Sequence, residues 1–225
     1  MHHRTEQEIM QNWKTHDKPL VSICCITYNH ERYIEEALDS FLMQNTDFPF
    51  EIVVDDDCSS DNSVELIKKY IKKYPTLMST RLREKNVGMM PNDIGNIQRA
   101  KGEYIAFCEG DDYWTDADKL QIQLDLMMEN PECFLSFHPA DEVMDDKLTG
   151  RAYATHEAEN RVFTDIEMIR RIGASFCPTA SMVIRREVMD PIPDFYTTAP
   201  VGDVFIQLLA SLNGGALFIG TKRVR

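Results

Sequence analysis

"EYIAFCEGDDYW", residues 103–114, runs from an apolar stretch directly into three carboxylates, Glu109, Asp111 and Asp112. EYIAFC reads as a buried strand, and Gly110 lets the backbone turn sharply where it ends. Negative charges placed so close together repel one another unless something positive sits beside them. On both sides of this stretch, β-branched apolar runs alternate with segments of helical period. That alternation is the pattern of βαβ units, so the expected fold class is α/β with a mostly parallel central sheet flanked by helices.

Upstream, PLVSICCIT (19–27) is expected to be the first strand, and Ile34, Leu38, Phe41 and Leu42 form one apolar stripe on the helix after it. FEIVV (50–54) is a second buried strand that ends in DDDCSSDNS (55–63), a cluster suited to a turn and a helix cap. STRLRE (79–84) reads as a shorter strand, and PNDIGNIQRA (91–100) as a helix opened by Pro91. Downstream, a helix is expected over 116–128, a strand at CFLSFHP (133–139) and a long polar surface connection over 140–162. Thr164 and Glu167 form a capping box for a short helix. ASMVIR (180–185) reads as a strand, 202–213 as a helix and GALFIG (215–220) as the last strand.

The 225 residues suffice for one sizeable domain, and 24 basic against 37 acidic side chains give a net charge of −13. Such a field repels nucleic acid, which is therefore not an expected partner. No apolar run approaches the length that spans a bilayer. Cys24, Cys25, Cys58, Cys108, Cys133 and Cys177 show no CxxC spacing, and most sit in apolar runs, as reduced thiols of core strands do. A cytoplasmic setting is expected. MHHRTEQ carries no signal-like apolar segment, and residues 1–18 read as an N-terminal extension.

In open α/β sheets ligands bind beyond the carboxyl ends of the strands. Three strand ends here carry polar clusters: Thr27, Tyr28 and Asn29; Asp55, Asp56 and Asp57; Glu109, Asp111 and Asp112. If those strands are neighbours, six carboxylates approach one crevice. A divalent cation would offset them, and a diphosphate would complete its oxygen shell. Plainer readings exist for each cluster. Thr-Tyr-Asn is an ordinary turn, and an Asp run suits the start of a helix. The Asp55–Asp57 run also suits a Mg²⁺-dependent, phosphoryl-handling domain of receiver or hydrolase type.

Taken together, VSICCITYNHERYIEEALDSFLMQ, EIVVDDDCSSDNS and NVGMMPNDIGNIQRAKGEYIAFCEGDDYWTDADKL resemble the family 2 glycosyltransferases, closely over 19–130 and loosely over 131–220. The resemblance implies a GT-A fold, the Rossmann-like nucleotide-diphospho-sugar transferase architecture. Residues 19–130 would be its nucleotide-sugar half and 131–225 its acceptor half. Ile26, Thr27, Tyr28 and Asn29 would contact base and ribose, and Asp57 would read the base ring while Asp56 supports the turn. Gly88 and Asn92 would lie near the base and diphosphate.

EGDD stands where the family's DxD motif stands. Asp111 is then the metal ligand, Glu109 replaces the leading Asp, Gly110 lies against the nucleotide, and Asp112 is a ligand or supports one. In PVGDVFIQLL, Asp203 matches the base that deprotonates the acceptor. Asp141, Glu142 and His138 are reserves, and Trp114 suits packing better than sugar stacking.

The implied activity is inverting transfer from a nucleoside-diphosphate sugar, with UDP as the nucleotide. The acceptor would be a glycan or lipid-linked saccharide, the cofactor Mn²⁺ or Mg²⁺, and the place the inner membrane face, through peripheral contact. Glu109 departs from the motif, which leaves a noncatalytic nucleotide-binding protein as an alternative. After ALFIGTKRVR (216–225) the family continues with basic or His-bearing residues, so the sequence is expected to stop short of a full second half.

Overall fold

The computed structural model describes residues 4–15, 17–156, 159–171, 173 and 175–220. The strands are β1 (Val21–Thr27), β2 (Phe50–Asp56), β3 (Met78–Leu82), β4 (Tyr104–Phe107), β5 (Leu135–Phe137), β6 (Ala140–Met144), β7 (Lys147–Tyr153), β8 (Arg161–Phe163), β9 (Val183–Arg185) and β10 (Ala216–Phe218). The helices are α1 (Glu6–Met10), α2 (Ile34–Leu42), α3 (Ser63–Lys73), α4 (Met89–Ile97), α5 (Lys119–Glu129), α6 (Asp165–Arg171) and α7 (Gly202–Ser211).

One eight-stranded sheet runs β3-β2-β1-β4-β9-β5-β10-β8. Its strands are parallel except β9, antiparallel to β4 and β5, and β8, antiparallel to β10. Both faces are covered, which is why the strands read as continuous apolar runs. Alternate residues of β1 divide between the faces: Val21, Ile23 and Cys25 join Phe41 and Leu38 of α2, whereas Cys24 joins Ile97 of α4 and Ile105. Five cysteines are buried and Cys58 is half-buried, all six as free thiols.

Met89 opens α4, and Pro91 stands in its first turn, where a missing N–H leaves no hydrogen bond unmade. Gly88 precedes it at φ 89°, a left-handed conformation that suits glycine. The capping box is present. Thr164 N–H donates to Glu167 Oε2 and Glu167 N–H to Thr164 Oγ1.

One expectation is corrected. Segment 140–162 is not a surface connection but holds the hairpin β6–β7 and strand β8. Residues 147–151 are exposed, so no apolar run announced the hairpin. Described residues of the N-terminal extension pack on the domain. Trp13 Nε1–H donates to Thr46 Oγ1 at 3.0 Å, and Arg4 donates to the carbonyls of Leu42 and Gln44. His2, His3 and residues 221–225, whose continuation the sequence reading anticipated, lie outside the described residues.

Candidate functional site

Strands β2, β1 and β4 are neighbours in register, Thr27 pairing with Asp56 and Cys24 with Phe107, so their carboxyl ends open side by side. The acidic loop stays fastened to β1 through Gly110 N–H, which donates to the Ile26 carbonyl at 3.0 Å. A Cβ at Gly110 would come within 2.9 Å of both His30 Nδ1 and Thr27 Oγ1, so the loop's close approach needs glycine.

The six carboxylates separate into two groups. Asp55 is fully buried and ion-paired to Arg99 and Arg81, and burial pushes its acid upward against their pull. Asp56 accepts from the N–H and hydroxyl of Ser59 and holds the turn. Asp57 Oδ1 accepts from Val87 N–H and Oδ2 from Gly88 N–H, both at 2.8 Å. The Asp run thus builds the wall instead of charging the crevice, and a phosphoryl acceptor at 55–57 has no exposed carboxylate.

Glu109, Asp111 and Asp112 remain. Burial, then Asp111 and Asp112, raise Glu109 to about 8, and burial, then Asp111, raise Asp112 to about 7. His30 Nε2 lies 3.8 Å from Asp111 Oδ2, and among the described residues no Lys or Arg pairs with the three.

Glu109 is the junction of three cavities. One, of about 250 Å³, is lined by Ile26, Thr27, Tyr28, Asp57, Gly88 and Asn92, the expected nucleotide contacts. Of its lining residues, Thr27 and His30 keep Oγ1 and Nδ1 buried beside Gly110 without hydrogen-bond partners. A second, of about 240 Å³, lies between Glu109, Asp93, Tyr196 and Asp203. A third, of about 530 Å³, lies between the acidic loop and β6–β7, with Tyr113, Asp141 and Tyr153 in its walls.

Not every expected contact lines a cavity. Asn29, at φ 57°, accepts from Ser60 N–H and fastens the 57–62 turn, while Gly110 and Asp56 are scaffold. Asn92 is buried between Arg83 Nε, from which it accepts, and the Asp55 carbonyl, to which it donates. Trp114 donates to the Ala180 carbonyl at 2.8 Å under the Lys119 ammonium, so it packs and does not stack on a sugar. His138 is fully buried with Nδ1 3.0 Å from the Pro139 carbonyl. Glu142 is taken up by Tyr153 and Thr149 hydroxyls.

The profile of glycosyl transferase family 2 matches residues 22–192. The chain belongs to that family. This family 2 chain is 38% identical over 174 residues to an uncharacterized protein of Mycobacterium tuberculosis, covering 77% of the chain and 49% of that relative. It spans about half the length of these curated relatives. Staphylococcus aureus TarS 1–349, crystallised with UDP and with UDP-GlcNAc, superposes with a TM-score of 0.71. The UDP complex is 23% identical and covers 91% of this chain and 59% of TarS 1–349. Mannosyltransferase PcManGT of Pyrobaculum calidifontis, with GDP-Man and Mn²⁺, gives 0.68 at 19% identity, over 94% of this chain and 59% of its own. These superpositions identify the fold as GT-A.

In this family 2 chain, Glu109, Asp111 and Asp112 offer hard oxygen donors and, among the described residues, pair with no Lys or Arg, a set that suits Mg²⁺ or Mn²⁺. Among the described residues no three His, Cys, Asp or Glu side chains converge as a ready metal cage, and one or two carboxylates with diphosphate oxygens would be the fitting shell. No helix among them is long and apolar enough to cross a membrane.

The sequence reading missed the Asp93–Tyr196 pair. Tyr196 Oη–H donates to Asp93 Oδ2 at 2.7 Å. Burial raises Asp93 to about 6, with Tyr196 opposing and Asp203 adding to the shift. Asp93 follows Asn92 inside a helix, and nothing local marks it.

Proposed function

We propose that this chain carries the donor and catalytic sites of an inverting glycosyltransferase. It would move a sugar from a UDP-sugar to a hydroxyl of a glycan or lipid-linked saccharide, in cell-surface polysaccharide assembly at the inner face of the membrane. The observation that carries the reading is the meeting of three cavities at Glu109, one of them lined by six of the nucleotide contacts that the family resemblance implies.

The nucleotide would enter between Tyr28, Asp57 and Gly88. Asp111, with Glu109 or Asp112, would hold Mn²⁺ or Mg²⁺, which when bound offsets charge on the departing diphosphate. Asp203 stands in the first turn of α7 and accepts from Val204 N–H through Oδ1. Its Oδ2 has a long 3.4 Å contact with the Thr179 hydroxyl. That oxygen would take the acceptor proton as the acceptor oxygen bonds to the anomeric carbon. The bond to the diphosphate breaks with its electron pair, and one displacement inverts the centre.

Calorimetric titration with UDP and with UDP-GlcNAc, each with and without Mn²⁺, tests the reading. Saturable binding strengthened by Mn²⁺ is expected. Absence of binding under every condition refutes it.

A further inference from the structure

The cavity between Asp93, Tyr196 and Asp203 shares Ile26, Met89 and Glu109 with the nucleotide cavity. A sugar hanging from a diphosphate that begins in one therefore reaches into the other. Met90, Phe107 and Ile206 give it apolar walls that suit the C–H faces of a pyranose. Its polar lining is three carboxylates, Asp93, Glu109 and Asp203, with the hydroxyls of Thr179 and Tyr196, and among the described residues no Lys or Arg lines it.

Carboxylate oxygens accept hydrogen bonds, and Asp93 is ionised above about pH 6, so this lining suits groups that donate, namely sugar hydroxyls and an acetamido N–H. A uronate carboxylate donates nothing, meets no Lys or Arg among the described residues of this lining and faces the carboxyl groups of Asp93 and Asp203, which is how a site rejects a close analogue.

Two of the three acids have other employment under the proposed function, Glu109 beside the cation and Asp203 at the acceptor hydroxyl. Asp93 has none: its partner is the neutral Tyr196 hydroxyl at 2.7 Å. Its charge is left to act on the sugar. We infer that this cavity receives the donor sugar and selects an uncharged hexose or N-acetylhexosamine against a uronic acid, with Asp93 as the specificity-determining residue. The inference rests on the donor-site reading above and adds the sugar class to it.

The test is calorimetry on the full chain with UDP, UDP-glucose, UDP-GlcNAc and UDP-glucuronate in Mn²⁺. UDP-glucuronate is expected to bind about tenfold or more weakly than the better neutral donor. Asp93→Asn should narrow that gap severalfold and leave UDP affinity unchanged. Equal or tighter binding of UDP-glucuronate to the wild type overturns the inference with no variant needed. An unchanged gap in an Asn variant that still binds UDP overturns the role of Asp93. Failure of UDP itself to bind removes the donor-site reading and this inference together, whereas UDP binding without discrimination removes the inference alone.

Discussion

Tyr196 donates its hydroxyl to Asp93 Oδ2 at 2.7 Å across 103 residues of sequence, tying α4 to the turn that leads into α7. The same hydroxyl oxygen lies 2.7 Å from where a Cβ of Gly202 would stand, so the pair sets the start of the helix that bears Asp203.

The pair makes stability depend on pH in a calculable direction. Burial, opposed by the Tyr196 hydrogen bond and helped by Asp203, lifts Asp93 to about 6, while an unfolded Asp titrates near 3.9. Between those values the native state holds a proton that the unfolded chain has released. Stability present below about pH 4 is thus lost as pH rises through about 6, by roughly 3 kcal/mol for two units. Asp93→Asn keeps an acceptor for Tyr196 and lacks this slope. Thermal melts should show its advantage over wild type growing from pH 4 to 6 and level above; an advantage independent of pH would reject the assignment.

Asp57 binds two backbone amides, those of Val87 and Gly88, and so holds the loop before α4 against the end of β2. Hydrogen bonds to a charged group contribute about 1.5–3 kcal/mol each. Asp57→Ala should therefore lose on the order of 3 kcal/mol in urea unfolding, and UDP affinity with it, because Gly88 lines the nucleotide cavity. Asp57→Asn, which accepts for one amide, should lose about half as much. A wild-type urea midpoint in the Ala variant would remove Asp57 as the anchor.

How much of this was legible in the sequence follows from how local each signal is. The strands β1, β2 and β4 and their polar ends were legible because apolar runs and turn residues are read within a few positions, whereas their adjacency, a condition in the sequence reading, is supplied by the structure. The Thr164–Glu167 capping box was legible for the same reason. Asp55 was read as part of the crevice, yet its partners Arg81 and Arg99 lie on β3 and just past α4, beyond local reach. The insertion of β9 between β4 and β5, antiparallel to both, is a tertiary choice with no signature inside VIR. The hairpin β6–β7 escaped because its strands are mostly exposed, so no buried alternation marks them.

The two acids assigned to metal and to proton transfer should separate in binding and turnover. Asp111 is half-exposed beside His30, so its loss leaves the core intact. Asp111→Ala should abolish the Mn²⁺-dependent part of UDP affinity. Asp203→Asn keeps the Val204 N–H contact through its amide oxygen. It should retain UDP affinity while donor turnover falls by about 10²–10⁴. Unchanged Mn²⁺ dependence in the first variant, or wild-type turnover in the second, would contradict the role concerned.

Gly110 joins the acidic loop to the nucleotide cavity, and its replacement tests whether the two are one site. An added Cβ would lie 2.9 Å from His30 Nδ1 and Thr27 Oγ1 and 3.0 Å from Ile34 Cδ1. Thr27 and His30 line the nucleotide cavity, whereas Ile34 is fully buried and has no room to retreat. The relief must come from the loop or from the two polar side chains, and overpacking of this kind costs about 1–3 kcal/mol. Gly110→Ala should therefore lower the urea midpoint and weaken UDP binding together, because the new methyl crowds Thr27 and His30 of the nucleotide cavity. A variant destabilised by that amount yet binding UDP as wild type would show that the loop and the cavity act independently.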